Sequence, residues 1–418
     1  MQDHEKQKKA KVVLLAGVLF NLAIGVLYAW SVLKAKLTAP IAEGGWAWTS
    51  QQAGFPYTIA IVCFALGLLI GGKIQDKIGP RWVVTAGGIF VGLGLIISGI
   101  IGNNPMGVAV SFGAITGMGI GMGYGCVSPP ALKWFHPSKK GIVSGLIVGG
   151  FGLAAVYFAP LTNFLLNNYG IEKTLMFLGA GILIVSTIIA QLVNNPPAGY
   201  VPVAPGGSAG QYATASSTSV DFSTSEMLGT MRFYLMFVMF LLSASIGLMV
   251  IGNITKIAIS QVSITDTGLL AMLVSFLAIT NTFGRVLGGL MSDKIGRINA
   301  LFVVSVLQLA NMIGFMYYQN LATLAIGIIL IGFCYGTLLS VFPALTADQY
   351  GLKNYGSNYG ILYLSWGLSG VLAPMMADYF YDTTGSFFMA YVICAAMLVV
   401  VIIANYLLKK NVAALSRT

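Results

Sequence analysis

The chain has 418 residues, of which 57% are hydrophobic and only 8% are charged, and its mean hydropathy is +0.85. Soluble domains carry about 25% charged residues, so this composition excludes a chain whose main solvent is water. The net charge of +10 would by itself suit a nucleic-acid-binding protein, but the distribution of the charges argues against one.

Long apolar segments recur along the chain, each with enough residues for a helix to cross a hydrocarbon core of about 30 Å. They lack the two-residue alternation of membrane strands. The predicted fold class is therefore an all-α membrane protein. Twelve transmembrane helices are predicted, at 11–34, 50–72, 82–101, 107–133, 142–166, 172–194, 230–256, 266–291, 298–318, 322–346, 356–380 and 384–408.

The basic residues predict a topology. With a cytoplasmic N-terminus, the Lys and Arg residues on the outer side are Lys34, Lys36, Lys173 and Lys256, and Arg285 lies inside a span. All others fall on the cytoplasmic side, as the positive-inside rule requires. We therefore expect a multi-pass protein of the inner cell membrane with both termini in the cytoplasm, and no nucleic-acid partner.

Residues 195–229 interrupt the apolar pattern with many Pro, Gly, Ser and Thr residues, which predicts a flexible cytoplasmic linker. The linker separates an N-terminal six-helix bundle, 1–194, from a C-terminal one, 230–418. Near its end we expect Ser225 to cap a short helix, with Glu226 adding a carboxylate to the first turn.

A short polar turn recurs at the same place in each half. Residues 71–81 read GGKIQDKIGPR and residues 288–297 read GGLMSDKIGR, so the shared pattern is GG-x₃-DKIG. Parallel repeats of six spans are typical of secondary transporters, whose substrate site lies near the midplane between the halves. The alternative is a simple solvated turn. We interpret the charged residues of both turns as a conformational latch: Asp76, Arg81, Asp293 and Arg297.

The spans offer little for catalysis or metal binding. Both histidines, His4 and His136, lie outside them, and no carboxylate lies clearly at mid-depth, with Asp378 near the outer end of the eleventh span. The four cysteines share no ligand spacing. The sequence therefore predicts no metal, no cofactor and no enzymatic activity.

Glycines dominate the fourth span, which contains GMGIGMGYG at 117–125. A dinucleotide fingerprint would need a preceding strand outside the membrane, so that reading is rejected. Gly117, Gly121 and Gly125 instead share one helix face, which predicts the close approach of a neighbouring helix.

Arg285 lies six residues before Met291, about 9 Å from the predicted cytoplasmic end of its helix. A charge at that depth costs several kcal/mol unless it meets water or a counter-ion. One turn away stand Asn281 and Gly289, neither of which is acidic. We expect an anionic substrate as the partner, because a planar guanidinium suits a carboxylate and Asn281 lies on the same face. The alternative is a side chain that snorkels to the inner surface.

Several sequence segments together resemble the major facilitator superfamily, and within it the oxalate/formate antiporters and the related monocarboxylate transporters. They are the doubled turn, WFHPSKKGIVSG at 134–145, SEMLGTMRFY at 225–234 and GRVLGGLMSDKIGR at 284–297. The resemblance covers nearly the whole chain and implies two pseudo-symmetric six-helix bundles. It implies that Arg285 binds the substrate carboxylate beside Asn281. The other residues expected to line the site are Tyr124, Tyr335, Tyr28, Leu33, Tyr363 and Trp366.

Three departures from the family pattern narrow the expected substrate. Oxalate carriers place a lysine where this chain has Trp366, so one cation argues for one carboxylate. Animal monocarboxylate carriers place an acid at the position of Asn281, and a lysine where Val32 and Leu33 stand. These differences favour a small monocarboxylate such as L-lactate, pyruvate, propionate or acetate.

The resulting prediction is a secondary active transporter that works by alternating access, with L-lactate as first choice. Proton symport is expected by resemblance, the proton travelling with the acid itself or through Asp378. The expected partners are the acid, a co-transported proton and the lipid bilayer, and the expected functional state is a monomer. The alternatives are an oxalate/formate-type or dicarboxylate exchanger, a sugar or drug carrier, and a membrane enzyme or receptor.

Overall fold

The computed structural model describes residues 2–202, 221–264 and 266–415, and these residues are mostly helical. Residues 203–220 of the predicted linker lie outside the described residues. The helices are α1 (Gln2–Ile24), α2 (Trp30–Thr38), α3 (Ser50–Ile78), α4 (Pro80–Ile101), α5 (Pro105–Val108), α6 (Gly117–Trp134), α7 (Lys140–Ala190), α8 (Thr224–Leu228), α9 (Met231–Val262), α10 (Thr267–Ile295), α11 (Arg297–Phe315), α12 (Leu321–Tyr350), α13 (Tyr355–Thr384) and α14 (Phe388–Leu415). A π-helical segment, Ala109–Thr116, joins α5 to α6.

Within the described residues, eleven helical segments are long and apolar enough to cross a membrane. One of them, Pro137–Ala190, has 54 residues and would measure about 80 Å if it were straight. It bends at Gly170, whose φ of 77° and ψ of 177° are not helical. This segment therefore contains the predicted span 142–166 and most of the predicted span 172–194, and the predicted all-α membrane fold is confirmed.

The first predicted span, 11–34, is not one continuous helix. It begins earlier, at Gln2, and a 3₁₀ turn, Val26–Ala29, separates α1 from α2. The carbonyl of Leu22 accepts a hydrogen bond of 2.8 Å from the hydroxyl of Tyr157 on α7. A Cβ atom on Gly25 would lie 2.2 Å from the Cβ of Ala154, so α7 crosses this break at close range. Sequence hydropathy cannot detect such a break, because the residues on both sides are equally apolar.

The chain forms two compact units that differ from a simple division into halves. Unit 1 comprises Met1–His136, Gly150–Thr218 and Leu352–Tyr363, and unit 2 comprises Pro137–Gly149, Ser219–Gly351 and Leu364–Thr418. The start of α7 therefore groups with most of the predicted C-terminal bundle, and the start of α13 groups with most of the N-terminal one. The predicted linker does not separate the units by itself.

Unit 1 is held together by close approach of α3 and α6. A Cβ atom on Gly121 would lie 2.0 Å from the carbonyl oxygen of Phe64, and one on Gly117 would lie 2.6 Å from that of Ala60. Gly125 packs against the side chain of Leu68 in the same way. The predicted role of this glycine face is confirmed.

In unit 2, glycines likewise allow the close approach of α10 and α12. A Cβ atom on Gly336 would lie 2.0 Å from the carbonyl oxygen of Asn281, and one on Gly284 would lie 2.3 Å from that of Phe333. The apolar core of this unit packs α9 against α11, α12, α13 and α14, with Met249, Phe315 and Leu398 among its buried residues. This packing places α10 so that its polar residues are held at fixed positions.

The end of the linker is ordered where it joins unit 2. The backbone N–H of Phe222 donates to the carbonyl of Tyr350, and Met227 of α8 is fully buried. The cap of α8 is Ser223 rather than the predicted Ser225, because the hydroxyl of Ser223 accepts from the N–H of Glu226. Hydrogen bonds from the backbone N–H and the hydroxyl of Ser223 in turn lower the pKa of the Glu226 carboxyl.

Candidate substrate site

Arg285 is buried within unit 2, with only 2% of its surface exposed. Its Nη1 donates a hydrogen bond of 2.6 Å to the carbonyl of Val148 on α7, and its Nε donates one of 3.0 Å to Oδ1 of Asn281. The helix ends at Ile295, so Arg285 lies about 15 Å from that end rather than the predicted 9 Å. The burial of Arg285 contradicts the alternative in which this side chain snorkels to the surface.

The backbone around Arg285 is positioned by glycine contacts. A Cβ atom on Gly145 of α7 would lie 2.2 Å from the carbonyl oxygen of Arg285 itself. This contact lets α7 and α10 touch through their backbones, which brings the carbonyl of Val148 within reach of the guanidinium. Asn281 is 8% exposed and lies one helical turn before Arg285, where α12 packs closely at Gly336.

Two aromatic residues of the predicted site also meet in unit 2. The indole Nε1 of Trp366 on α13 donates a hydrogen bond of 2.8 Å to the hydroxyl oxygen of Tyr335 on α12. Both side chains are buried, and the ring of Tyr335 rests against Gly247 of α9, where a Cβ atom would lie 2.3 Å from Cδ2. Tyr335 is therefore held at a fixed position from two sides.

The remaining predicted aromatic residues lie in unit 1 and form a ring cluster. Tyr124 of α6 lies 6.0 Å from Tyr363 of α13 between ring centroids, and Tyr28 lies in the 3₁₀ turn after α1. Two phenylalanines that sequence reasoning missed join them. Phe151 lies 5.2 Å from Tyr124 and 5.6 Å from Tyr28, and Phe64 lies 5.3 Å from Tyr124. Leu33 is buried on α2.

The aspartate of the second DKIG turn binds the start of a helix in unit 2. Both carboxylate oxygens of Asp293 accept hydrogen bonds of 2.8 Å, one from the backbone N–H of Gly141 and one from that of Ile142, at the N-terminus of α7. Arg297 forms ion pairs with Asp293 and with Asp348. A carboxylate at this position is favoured by the positive end of the helix dipole.

The aspartate of the first DKIG turn also binds the start of a helix, in unit 1. The carboxylate of Asp76 accepts from the backbone N–H groups of Gly356, at 3.1 Å, and Ser357, at 2.8 Å, and from the Ser357 hydroxyl at 2.8 Å. These groups lie at the N-terminus of α13. Arg81 is instead bound to Oε1 of Gln191, at 2.7 Å from its Nε. The repeat in the sequence therefore corresponds to a repeat in the contacts of its two aspartates, but not of its arginines.

Asp378, one of the two routes expected for the proton, lies on the surface of α13. Its carboxylate accepts from the ammonium of Lys256 at 2.8 Å, and its side chain is 43% exposed. The structure therefore gives Asp378 a basic partner outside the set formed by Arg285 and Asn281.

The profile of the Major Facilitator Superfamily matches residues 12–321 and, in a second match, residues 233–417. The chain belongs to the Major Facilitator Superfamily. It is a multi-span membrane transporter, and not an enzyme.

Three related proteins show which transporters this superfamily member resembles in sequence. The uncharacterized MFS-type transporter YhjX of Escherichia coli is 29% identical over 89% of this chain and 88% of its own. The oxalate:formate antiporter of Oxalobacter formigenes is 28% identical over 84% of this chain and 80% of its own. Monocarboxylate transporter 13 of Rattus norvegicus is 24% identical over 93% of this chain and 86% of its own. The predicted relationship to oxalate/formate antiporters and monocarboxylate transporters is confirmed.

Solved structures support the superfamily fold. FucP, a superfamily transporter crystallised in an outward conformation, matches 95% of this chain and 98% of its own with a TM-score of 0.70 and 13% identity. At that identity the likeness concerns the fold alone. Roles of individual residues in this transporter must be argued from its own contacts.

Phe64 and Phe151 are members of the ring cluster around Tyr124 that the sequence did not indicate. Neither carries a polar group, and apolar rings are common in every span, so their sequence signal is no different from that of lipid-facing phenylalanines. Only the packing of α3 and α7 around Tyr124 distinguishes them in this superfamily member. Val148 was missed for a related reason, since its contribution is a backbone carbonyl.

Proposed function

We propose that the protein is a secondary active transporter of small monocarboxylates, with L-lactate the first substrate to test. The observation that carries this proposal is the buried guanidinium of Arg285, which is hydrogen-bonded to the neutral oxygens of Val148 and Asn281. These two acceptors hold the guanidinium in one orientation, and a planar guanidinium is suited to bidentate pairing with a carboxylate. The carboxylate of a small acid is therefore the proposed ligand of Arg285.

The hydrogen bonds to Arg285 also explain how one carboxylate would be selected. Asn281 and Val148 fix the plane of the guanidinium, and a fixed plane favours bidentate pairing with a planar carboxylate. The N–H of the Trp366 indole donates to the phenol oxygen of Tyr335, so a neutral residue stands at the position where the family resemblance places a lysine in oxalate carriers. One guanidinium suits one carboxylate rather than two.

Charge neutralisation would couple binding to movement. A guanidinium that has received a carboxylate is less costly to enclose than a bare one, so the bound acid favours states in which the site is closed. The transport cycle proposed is alternating access by a monomer in the inner membrane, with both termini in the cytoplasm. Tyr124, Tyr28, Leu33 and Tyr363 stay sequence-based proposals for further substrate contacts.

Uptake of radiolabelled L-lactate into proteoliposomes tests the substrate. Arg285→Gln should abolish uptake, and Arg285→Lys should reduce it at least tenfold, because an ammonium lacks the planar fork. Arg232→Gln is the matched control, since its guanidinium lies over the rings of Phe222 and Tyr350. Near-normal uptake by both Arg285 variants, in folded protein, would contradict the proposal.

An imposed pH gradient tests proton coupling in the same vesicles. Symport predicts that an inward proton gradient raises lactate accumulation several-fold over the equal-pH control. Asp378→Asn should leave this stimulation intact if the proton travels with the acid. Uptake that does not respond to the gradient would exclude symport.

Anion exchange is the second candidate, because the oxalate:formate antiporter matches 84% of this chain. Vesicles preloaded with oxalate or formate distinguish the two. Exchange predicts fast lactate or oxalate entry only into preloaded vesicles, whereas symport predicts net entry into empty ones.

A further inference from the structure

A groove of about 640 Å³ lies in unit 1 along α2 and the middle of α7. Its polar residues are Ser31, Lys36, Glu43, Asn163 and Asn167, and alanine, valine, leucine and proline side chains form the remaining walls. None of these residues belongs to the site proposed around Arg285. The groove combines one cation, one carboxylate and two carboxamides with a short apolar surface, and its cation and carboxamides are groups that can bind a small organic acid.

The cation of the groove is held in place. The ammonium of Lys36 donates a hydrogen bond of 2.6 Å to the backbone carbonyl of Glu43, so its long side chain is fixed at the end of α2. Among the described residues, Lys36 forms no ion pair with a carboxylate. The carboxylate of Glu43 also lines the groove, but it is exposed to solvent, where the high dielectric constant of water weakens its effect on a bound anion.

The loop that supplies this carbonyl is itself ordered. The N–H of Ala47 donates to the carbonyl of Ala39 and that of Trp48 to the carbonyl of Leu37, each at 3.0 Å, which folds the loop back on α2. A Cβ atom on Gly45 would lie 2.0 Å from the Ala39 carbonyl oxygen, so the fold of the loop requires glycine there. The position of the ammonium therefore depends on the loop as well as on α2.

The opposite wall carries two amides. Asn163 and Asn167 lie one turn apart on α7, on the same face, and both are exposed. Exposed carboxamides are costly in lipid and ordinary in water, so this part of the groove is wet. Each amide carries N–H groups that can donate to an oxygen of a ligand in the groove.

We propose that the α2–α7 groove is a second carboxylate site, in which Lys36, Asn163 and Asn167 bind a short organic acid before it enters, or after it leaves, the transport site. The proposal rests on the proposed function, and on the predicted topology, which places Lys36 on the outer side. An electrostatic site of this kind raises the local concentration of an anion and speeds its capture, especially at low salt.

Transport kinetics give the first test. In proteoliposomes, Lys36→Gln should raise the KM for L-lactate at least threefold at low ionic strength with the maximum rate unchanged, and the difference should shrink at high salt. Lys36→Arg should restore the wild-type KM. Lys34→Gln is the matched control, because it removes the same charge two residues away without altering the groove lining. Equal KM values for Lys36→Gln and Lys34→Gln would overturn the proposal.

Gly45→Ala tests whether the position of the Lys36 ammonium matters in addition to its charge. It keeps the ammonium but forces the loop to shift, so its KM should rise as in Lys36→Gln while the protein still unfolds as one transition. A wild-type KM in a variant whose loop has shifted, as judged by proteolysis, would count against a positioned cation.

A binding test works without transport. The reporter is Ala35→Cys, an exposed groove position, made in an Arg285→Gln background and labelled with a charged maleimide in detergent micelles. Sodium lactate should slow labelling at least twofold, whereas neutral lactamide should not, and Lys36→Gln should remove the protection. Equal rates with lactate and lactamide would refute the groove as a carboxylate site.

The two tests also separate this proposal from the proposed function. If the wild type takes up lactate but the groove variants behave normally, only the groove proposal fails. If the wild type takes up no monocarboxylate, the proposed function fails, and protection of Ala35→Cys by lactate still decides whether the groove binds carboxylates.

Discussion

Gly145 of α7 packs directly on the backbone of Arg285, at a distance where a Cβ atom would lie 2.2 Å from the arginine's carbonyl oxygen. Three residues further along α7, the carbonyl of Val148 accepts a hydrogen bond from the guanidinium. The same helix therefore fixes both the backbone and the side chain of the proposed substrate-binding residue. This relationship gives the first prediction.

We expect Gly145→Ala to push α7 away from α10 and to lower the free energy of unfolding by about 2 kcal/mol. Lactate binding should weaken as well, because the hydrogen bond from Arg285 to Val148 lengthens. Thermal unfolding and calorimetric titration measure the two effects. Gly149→Ala is the control, since its Cβ atom would lie 3.4 Å from Val286 and should be tolerated. Equal behaviour of both variants would contradict the argument.

Asn281→Asp tests whether the substrate supplies the counter-charge of Arg285. The new carboxylate would lie where the amide oxygen now accepts from Nε at 3.0 Å, and it would compete with the acid. We expect lactate affinity to fall at least tenfold, or about 1.4 kcal/mol, while thermal stability holds or rises. Asn281→Leu separates loss of the amide from gain of charge. Unchanged affinity in the aspartate variant would show that the acid binds elsewhere.

Trp366→Phe removes the hydrogen bond from the indole to Tyr335 and leaves a buried phenol oxygen without that donor. The expected cost is about 1 kcal/mol of stability, together with a several-fold rise in the KM for lactate. Trp134→Phe loses a comparable bond, from Nε1 to the Asn194 carbonyl at 2.8 Å, and should lose stability with an unchanged KM. An unchanged KM in Trp366→Phe would remove this residue from the site.

Trp366→Lys tests the number of carboxylates that the site accepts. A second cation should lower the affinity for lactate and raise the affinity for oxalate, as measured by competition against labelled lactate. The expectation follows from charge balance, since a dicarboxylate brings two negative charges. If oxalate competes no better in this variant than in the wild type, the one-cation argument for a monocarboxylate fails.

Asp76→Asn and Asp293→Asn test the interpretation of the DKIG turns as a latch. Each change removes a negative charge from a helix N-terminus, and we expect a loss of about 1 kcal/mol of stability. If the contacts change during transport, the maximum rate should change more than the KM. Asp266→Asn is the control, because Asp266 caps α10 through the N–H of Leu269 at 2.7 Å without belonging to a turn. A rate loss no greater than that of the control would support a purely structural role.

Much of the fold follows from the sequence alone. Long apolar segments must satisfy their backbone hydrogen bonds internally, so length and hydropathy suffice to predict spanning helices. Glycines at every fourth position of α6 leave no side chains to separate it from α3, and the packing at Gly121 follows from that spacing. The repeated DKIG sequence likewise gives both aspartates the same kind of partner, namely the N-terminus of a helix.

The sequence also singled out Arg285, because a charge inside an apolar span is costly enough to demand an explanation. What it could not supply were the groups that position this side chain. The carbonyl of Val148 belongs to a residue whose side chain is irrelevant, and the break near Gly25 lies among residues that are apolar on both sides.

There is a physical reason why the sequence determined some features of this protein and the tertiary structure decided others. Solvation energies are properties of residue types, so the sequence by itself determined that the chain is helical and membrane-embedded, and it marked Arg285 as a charge inside an apolar span. Hydrogen bonds between backbones, and contacts between rings, depend on which helices meet and at what distance. Only the tertiary structure therefore decided that α7 carries the acceptor for Arg285, that Phe64 and Phe151 surround Tyr124, and that Asp378 pairs with Lys256.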